Sequence, residues 1–160
     1  MRKKFYFFII LSTFFFILDQ FVKYWVQNTV YKNVFGIEIF KTGDFNIKFQ
    51  YALNKGISFS MFDNDNQLPI LFISSILVII LIFWLKRNRN IISSVGISIL
   101  IGGAIGNIYD RINIGGVIDF IKISYGEYSF PTFNSADTFI FIGVILILCE
   151  DIFAKKSKKV

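Results

Sequence analysis

Four long apolar runs divide the chain, and the segments between them mix polar and apolar residues. The runs cover about residues 5–26, 68–85, 91–109 and 137–153. A helix rises about 1.5 Å per residue, so roughly 20 apolar residues cross the hydrocarbon core of a membrane. The pattern predicts an all-α integral membrane protein, with four transmembrane helices in a single domain over residues 1–160. The first run lacks a small-residue cleavage site, so we expect it to remain as an anchor.

The basic residues lie beside these runs. Ten of the 17 Lys and Arg residues fall within three short segments, 2–4, 86–89 and 155–159. Cytoplasmic connections of membrane proteins are enriched in Lys and Arg. We therefore place both termini and the short turn at 86–90 in the cytoplasm, and the connections 27–67 and 112–135 on the outer face. The net charge of +6 then reflects topology, so we expect no nucleic-acid partner.

The first outer connection contains two segments, 35–40 and 45–51, in which apolar and polar residues alternate. They flank Thr42, Gly43 and Asp44, and this arrangement predicts a small β-hairpin with one apolar face. The apolar face could pack on the helix ends, or it could hold a lipid-bearing ligand at the membrane interface.

Composition restricts the chemistry that such a protein can perform. The mean hydropathy is +0.60, 54% of the residues are hydrophobic and 21 are Phe, whereas His is absent and Cys149 is the only Cys. A triad of Ser, His and Asp, or of Cys and His, cannot be built without His. Zinc sites draw mainly on several Cys and His ligands. We predict no metal and no cofactor, which leaves carboxylate, lysine, tyrosine and hydroxyl groups for catalysis.

Several acids fall at the outward ends of the predicted helices or just beyond them: Asp19, Asp110, Asp119 and Asp137. Ionisable groups at membrane depth are costly, usually face the interior of the bundle and commonly mark a functional site. We therefore expect a shared pocket near the outer interface. A small ion- or proton-coupled transporter is the alternative, but its acids would be spread along a path across the bilayer.

Two polar motifs also have simple structural explanations. Asp19 and Lys23 are one helical turn apart, so an ion pair worth a few tenths of a kcal/mol at a helix end would account for them. Within the acidic cluster, the same pair could instead position other groups. Asn54 and Gly56 are typical turn residues, and turn formation alone explains their presence.

The third run carries small residues at every fourth position: Ser94, Ser98, Gly102 and Gly106. Such a stripe lets another helix pack closely, and a structural membrane protein assembled through it is a third interpretation. The stripe does not explain Asn107 and Arg111, which lie one turn apart beside Asp110. We expect them to form a hydrogen-bonding wall that binds the backbone of a substrate, the alternative being a solvated helix end.

Asn134 and Asp137 have the spacing of a capping box at the start of the fourth helix. Capping accounts for Asp137 but not for Asp119, which lies between apolar neighbours in the second outer connection. Without His or several Cys, two aspartates that share a proton around one water are the most available hydrolytic machinery. We predict that Asp137 is the ionised base, because a helix N-terminus favours negative charge, and that Asp119 holds the proton.

Five motifs together resemble those of bacterial lipoprotein signal peptidase, also called signal peptidase II, in order and spacing. They are Asp19-Gln-x-x-Lys23, Asn54-x-Gly56-x-x-Phe59, Gly102-Gly-Ala-x-Gly-Asn-x-x-Asp-Arg111, Gly116-Val-x-Asp-Phe120 and Phe130-Pro-x-Phe-Asn-x-Ala-Asp137. The resemblance implies an aspartic endopeptidase of the bacterial cytoplasmic membrane that cleaves the signal peptide of prolipoproteins just before a diacylglyceryl-modified cysteine. It also implies four helices, a small outer β-element and sensitivity to the peptide-like antibiotic globomycin.

The resemblance further implies roles for individual residues. The catalytic positions fall on Asp119 and Asp137. Positions that contact substrate or globomycin fall on Asn54, Gly56, Asn107, Arg111 and Asn134, and supporting polar positions fall on Asp19, Lys23 and Asp110. The expected partners are diacylglyceryl-modified prolipoproteins and membrane lipid, and we expect the protein to act as a monomer.

Overall fold

The computed structural model describes residues 2–33, 35–56, 67–88 and 90–157. In chain order, these residues form α1 (Arg2–Thr29), β1 (Ile37–Thr42), β2 (Phe45–Asn54), α2 (Leu68–Arg87), α3 (Ile91–Ile114), β3 (Val117–Tyr125), β4 (Tyr128–Ser129) and α4 (Ser135–Ser157). Phe59, which belongs to the Asn54 motif, lies outside the described residues.

Helix α3 is the centre of the bundle and packs against α1, α2 and α4. Its glycines allow close approach on two sides. A Cβ atom on Gly96 would lie 2.8 Å from the carbonyl oxygen of Gly143 in α4, and one on Gly102 would lie 2.7 Å from that of Ser12 in α1. The prediction that the small residues of this helix permit tight packing is confirmed, because any larger side chain would separate the helices.

Three helices in the described part of the chain are long and apolar enough to cross a membrane: Lys4–Thr29, Leu68–Arg87 and Ile91–Ile114. Helix α2 has large exposed apolar side chains along its length, including Phe72, Ile80 and Phe83. Such a surface is unfavourable in water and suits the lipid interior of a membrane. Helix α4 has 23 residues, and the crossing expected of it stays a prediction.

Several helix ends lie beyond those that the apolar runs predict, and two of them have a clear local cause. The third helix was expected to end near Tyr109, but α3 continues to Ile114 and ends at Gly115, whose φ is 68°. Glycine adopts this left-handed conformation without steric cost and commonly terminates helices. The fourth helix begins at Ser135, before the predicted start at Asp137, because hydrophobicity does not detect a polar first turn.

The sheet is larger than the predicted hairpin. Strands β1 and β2 pair antiparallel around Gly43, as predicted, and the complete strand order is β1-β2-β3-β4. Strand β3 comes from the second connection, which was expected to be a loop. The prediction of helices with a small β-element is confirmed, and that element is a four-stranded antiparallel sheet instead of a two-stranded hairpin. The pairing of β2 with β3 aligns Ala52 with Asp119 and Asn54 with Val117.

The sheet packs on the last turns of α1. Val26 of α1, Val30 directly after the helix, and Ile118 and Phe120 of β3 form a buried cluster, and the ring of Phe49 meets that of Phe120 edge to face at 5.6 Å. This contact favours the interpretation in which the apolar face of the sheet covers the helix end. We call this the sheet end of the bundle.

Candidate active site

Asp119 and Asp137 are brought together by a backbone contact between β3 and the segment that leads into α4. Phe133 and Ile121 form an antiparallel bridge. The backbone N of Ile121 donates to the carbonyl oxygen of Phe133 at 2.8 Å, and the backbone N of Phe133 donates to that of Ile121 at 3.2 Å. This bridge places Asn134, whose side chain is fully buried, beside Asp119 in the neighbouring part of β3. The first turn of α4 then carries Asp137 to the same place.

Asn134 contacts both acids. Its Nδ2 donates to Oδ1 of Asp119 at 2.7 Å, and its Oδ1 accepts from the backbone N–H of Asp137 at 2.9 Å. In return, Oδ2 of Asp137 accepts from the backbone N–H of Asn134 at 3.3 Å. The predicted capping box is therefore confirmed, and the capping residue also links the two acids.

Asn107 of α3 forms a second link. Its Nδ2 donates to Oδ1 of Asp137 at 2.8 Å, and its Oδ1 accepts from Nδ2 of Asn134 at 3.2 Å and from Nζ of Lys23 at 3.1 Å. Since both partners of its Oδ1 are donors, the orientation of the amide is fixed. Asp137 thus receives hydrogen bonds from α3 and from the cap of its own helix.

Asn54 approaches Asp119 from the end of β2. Its Nδ2 donates to Oδ2 of Asp119 at 3.0 Å, while its Oδ1 accepts from the backbone N–H of Gly56 at 3.0 Å. Gly56 has a φ of 122°, a conformation that disfavours any side chain. The turn predicted from these residues is present, and it orients the Asn54 amide toward the acid.

The environment of Asp119 favours its protonated form. Burial is the main cause and raises the pKa of the Asp119 carboxyl, hydrogen bonds from Asn54 and Asn134 oppose this, and the nearby charge of Asp137 raises the pKa further. Asp119 is only 4% exposed, so little water reaches it. Burial disfavours a carboxylate because charge is costly in a medium of low dielectric constant.

Lys23, Asp19 and Asp110 form a buried ion cluster behind the two linked acids. Nζ of Lys23 lies 2.9 Å from Oδ2 of Asp19 and 2.8 Å from Oδ2 of Asp110. The three side chains are at most 3% exposed. The ion pair of Asp19 and Lys23, expected at a helix end, is therefore part of a buried triad, and Asp110 does not lie at a solvated helix end. Because Lys23 also donates to Asn107, the cluster is one hydrogen bond away from the amide that holds Asp137.

Two further residues hold this cluster: Gln20, which belongs to the Asp19 motif but was assigned no role, and Ser135, which sequence reasoning missed. Nε2 of Gln20 donates to Oδ2 of Asp19 at 3.1 Å and to Oδ1 of Asp110 at 3.0 Å. Oγ of Ser135 donates to Oδ1 of Asp19 at 2.5 Å. Gln20 stands out in the sequence as a polar residue inside an apolar run, whereas a serine at the start of a helix carries no comparable signal.

Arg111 lies at the mouth of an apolar groove. Its Nη1 donates to the backbone oxygen of Asn107 at 3.1 Å, and its Nε is buried without a partner among the described residues. Arg111 and Asn107 line one end of a cavity of about 490 Å³, whose other walls come from α2, α3 and α4 and include Leu77, Leu81, Ala104 and Ile140. Both α2 and α4 pack on α3 with at most a marginal contact between them, so the groove separates α2 from α4 over the surface of α3.

A family model described as Signal peptidase (SPase) II matches residues 11–153. The chain belongs to the signal peptidase II family. The matched segment contains every residue of the site described above. Membership makes the protein a peptidase, and the transporter interpretation is not supported.

Individual relatives agree with this assignment. The lipoprotein signal peptidase of Wigglesworthia glossinidia brevipalpis is 39% identical over 136 residues, which are 83% of this chain and 86% of that protein. The lipoprotein signal peptidase of Rickettsia conorii is 41% identical over 145 residues, which are 88% of this chain and 70% of that protein. Similarity therefore extends well beyond the motif residues of this signal peptidase II.

Solved structures share the fold. A bacterial membrane enzyme solved by the in meso method superposes with a TM-score of 0.75 at 30% identity, and the match covers 94% of this chain and 90% of that one. A second such enzyme gives a TM-score of 0.74 at 32% identity, covering 89% of this chain and 90% of that one. The helices and small sheet of this signal peptidase II thus form a membrane enzyme fold.

Proposed function

We propose that this protein is a membrane aspartic endopeptidase that cleaves the signal peptide of prolipoproteins just before the diacylglyceryl-modified cysteine. The observation that carries the proposal is the linkage of Asp119 and Asp137 through Asn134 and Asn107 at the end of an apolar groove. Membership of the signal peptidase II family supplies the reaction class, and the two acids supply a mechanism that needs neither His nor Cys.

Hydrolysis follows from the two acids acting on one water molecule. The carboxylate of Asp137 removes a proton from the water as its oxygen attacks the scissile carbonyl carbon, and the carboxyl of Asp119 gives its proton to the carbonyl oxygen. The tetrahedral intermediate then collapses: Asp119 recovers a proton from the former carbonyl oxygen, Asp137 protonates the leaving nitrogen, and the C–N bond breaks. The acids end in their starting protonation states.

The environments of the two acids support this division of roles. Burial raises the pKa of Asp119, which suits the group that starts protonated. Asp137 stands in the first turn of α4 and accepts from Asn107 and from the backbone of Asn134, and donors at a helix N-terminus stabilise negative charge. The shared proton belongs to the pair as a whole, so the two groups titrate together.

The groove beside Arg111 suits the signal peptide. Its walls are apolar between α2 and α4, as a helical apolar peptide requires. Asn107 and Arg111 stand where the groove meets the acids, and Nε of Arg111, which has no partner in the described part of the chain, is a donor for a carbonyl oxygen of the substrate backbone. Asn54 and Gly56 border the other side of Asp119, so we assign both to the substrate-binding surface.

The proposal includes a topology. Helices α1 to α4 cross the bacterial cytoplasmic membrane within a single domain, with both termini cytoplasmic and the sheet end on the outer face, because the basic segments flank the opposite end. A substrate that joins a spanning peptide to a lipidated cysteine must be cut at the interface, which is where this arrangement places Asp119 and Asp137. Exclusion of bulk water there strengthens each hydrogen bond to the reacting groups.

Purified enzyme incubated with a diacylglyceryl-modified prolipoprotein and with its unmodified form tests the proposal. We expect cleavage of the modified protein immediately before the lipidated cysteine, little cleavage of the unmodified one, and inhibition by globomycin. Mass spectrometry of the new N-terminus identifies the bond that is cut. Processing of neither substrate would overturn the assignment, and equal processing of both would contradict the requirement for the lipid.

A further inference from the structure

A second cavity lies at the end of the bundle opposite the sheet. It has a volume of about 280 Å³ and is bounded by the first turns of α1, the last turn of α2 and the start of α3. Lys4, Lys86 and Arg87 line it together with Asn88. Helix α2 has 20 residues, so about 30 Å separates this cavity from the sheet end, and the catalytic proposal makes no use of it.

The cavity concentrates positive charge. Within the described part of the chain, no carboxylate forms an ion pair with Lys4, Lys86 or Arg87, since the ion pairs found there involve Lys23. Glu150 approaches this region, and its two oxygens accept from Asn90 at 2.7 Å and from Ser93 at 2.8 Å. Three cations line the cavity and the neighbouring carboxylate of Glu150 is already engaged, which leaves the cavity suited to an anion.

Asn88 adds an unused hydrogen-bond donor. Its Oδ1 accepts from the backbone N–H of Asn90 at 3.1 Å, which fixes the amide, and its Nδ2 is buried without a partner among the described residues. A buried donor left without an acceptor costs free energy. An acceptor oxygen of a ligand would remove this cost. That oxygen would also lie near the cations that line the same cavity.

The remaining walls are apolar. Phe5, Phe8, Leu85 and Ile91 line the same cavity, and Phe8 and Leu85 belong to the buried core between α1 and α2. A free phosphate ion would gain nothing from these side chains, whereas the hydrocarbon chain of a lipid would cover the parts of Phe5 and Ile91 that remain exposed. The combination of cations, an amide donor without a partner among the described residues and apolar walls matches an anionic amphiphile.

We propose that this cavity binds an anionic membrane phospholipid, whose phosphate contacts Lys86, Arg87 and Asn88 and whose acyl chain lies against Phe5 and Ile91. Lys and Arg side chains beside a spanning helix attract anionic lipids electrostatically. The cavity adds a fixed donor and a fitted apolar wall to this general attraction, and the site therefore selects one lipid molecule.

Native mass spectrometry of the full-length protein in detergent tests the site. Phosphatidylglycerol is titrated against the wild type, a Lys86→Gln/Arg87→Gln variant and an Asn88→Ala variant, with phosphatidylcholine as the zwitterionic comparison. The matched control is Lys32→Gln/Lys41→Gln, which removes the same charge from exposed positions near the sheet. Each cation near an anionic head group contributes about a fivefold effect, so the Lys86/Arg87 variant should bind phosphatidylglycerol about twenty-five-fold more weakly.

The expected pattern is one tightly bound phosphatidylglycerol on the wild type and the control, weaker binding to Asn88→Ala and to the Lys86/Arg87 variant, and no comparable phosphatidylcholine complex. Asn88→Ala keeps every cation, so it tests the site even where the double variant does not fold. Equal retention of phosphatidylglycerol by wild type and both cavity variants overturns the proposal, as does an equal loss in the control. Competition by glycerol phosphate at equal concentration would identify a soluble phosphate as the ligand and likewise overturn it.

Discussion

Asn54 donates a hydrogen bond of 3.0 Å to Oδ2 of Asp119, although Asn54 ends β2 and Asp119 lies in β3. The contact exists because the two strands pair and because the turn to Gly56 fixes the amide. This hydrogen bond lowers the pKa of Asp119, whereas burial raises it, because a donor to a carboxylate stabilises the ionised form. The protonation of Asp119 is therefore a balance between burial and two amide donors.

Asn54→Ala should move the alkaline limb of the pH profile of kcat/KM to higher pH. Loss of the amide donor raises the pKa of Asp119 further, and the acid then keeps its proton to a higher pH. Initial rates of prolipoprotein cleavage across the pH range measure the shift. Asn46→Ala in the same strand is the control and should leave the limb in place. If the alkaline limb of the Asn54→Ala profile is unchanged or moves to lower pH, Asn54 does not control the protonation of Asp119.

The raised pKa of Asp119 also predicts a pH dependence of stability. The native state binds the Asp119 proton more tightly than the unfolded chain does, so the free energy of unfolding falls as pH rises from the unfolded pKa through the folded one. Asp119→Asn carries no such proton and should lose less stability over that range. Thermal unfolding midpoints in detergent at several pH values compare the two, and identical pH dependence would refute the assignment.

Lys23→Met should destabilise the protein strongly. The substitution leaves Asp19 and Asp110 buried without a cation, and breaking a buried ion pair in this way costs about 3–5 kcal/mol. The control is Lys41→Met, at an exposed position. Thermal unfolding midpoints in detergent are measured for both variants. Adding Asp19→Asn and Asp110→Asn to Lys23→Met should recover part of the loss. A Lys23→Met midpoint equal to that of the control would show that the triad contributes nothing.

Gly106→Ala should be costly because Asp19 occupies the space that a Cβ atom would need. Overpacking of this kind costs about 1–3 kcal/mol. The Cβ of Asp19 itself would be at 3.5 Å from the new atom, an ordinary contact, so Gly106→Ala should cost little in an Asp19→Ala background. A double-mutant cycle of unfolding midpoints measures this coupling, and equal costs in both backgrounds argue against the close contact.

The helices and the acids could be predicted because their signals are local. Each apolar run is continuous in sequence, and an aspartate such as Asp119 between apolar neighbours stands out without any knowledge of the fold. The same holds for Asn134 and Asp137, whose capping geometry depends on residues three apart. These features needed no information about what packs against them.

The remaining geometry depends on contacts between distant segments. Strand β3 exists because it pairs with β2, and Phe133 bridges to Ile121 of that strand. No local pattern indicates that Ser135 would bind Asp19, from which it is separated by 116 residues. The sequence could therefore nominate Asp119 and Asp137, whereas the amide links between them became visible only in the structure.

Cleavage by the single variants Asp119→Asn and Asp137→Asn is the most direct measurement of the central claim. Each should lower kcat on a diacylglyceryl-modified prolipoprotein by about a thousandfold, since one general acid or base contributes about 10²–10⁴. Asp44→Asn, at an exposed turn of the sheet, should keep the wild-type rate, and unfolding midpoints establish that all three variants fold. Substantial cleavage by both folded Asp119→Asn and Asp137→Asn enzymes would contradict catalysis by this pair.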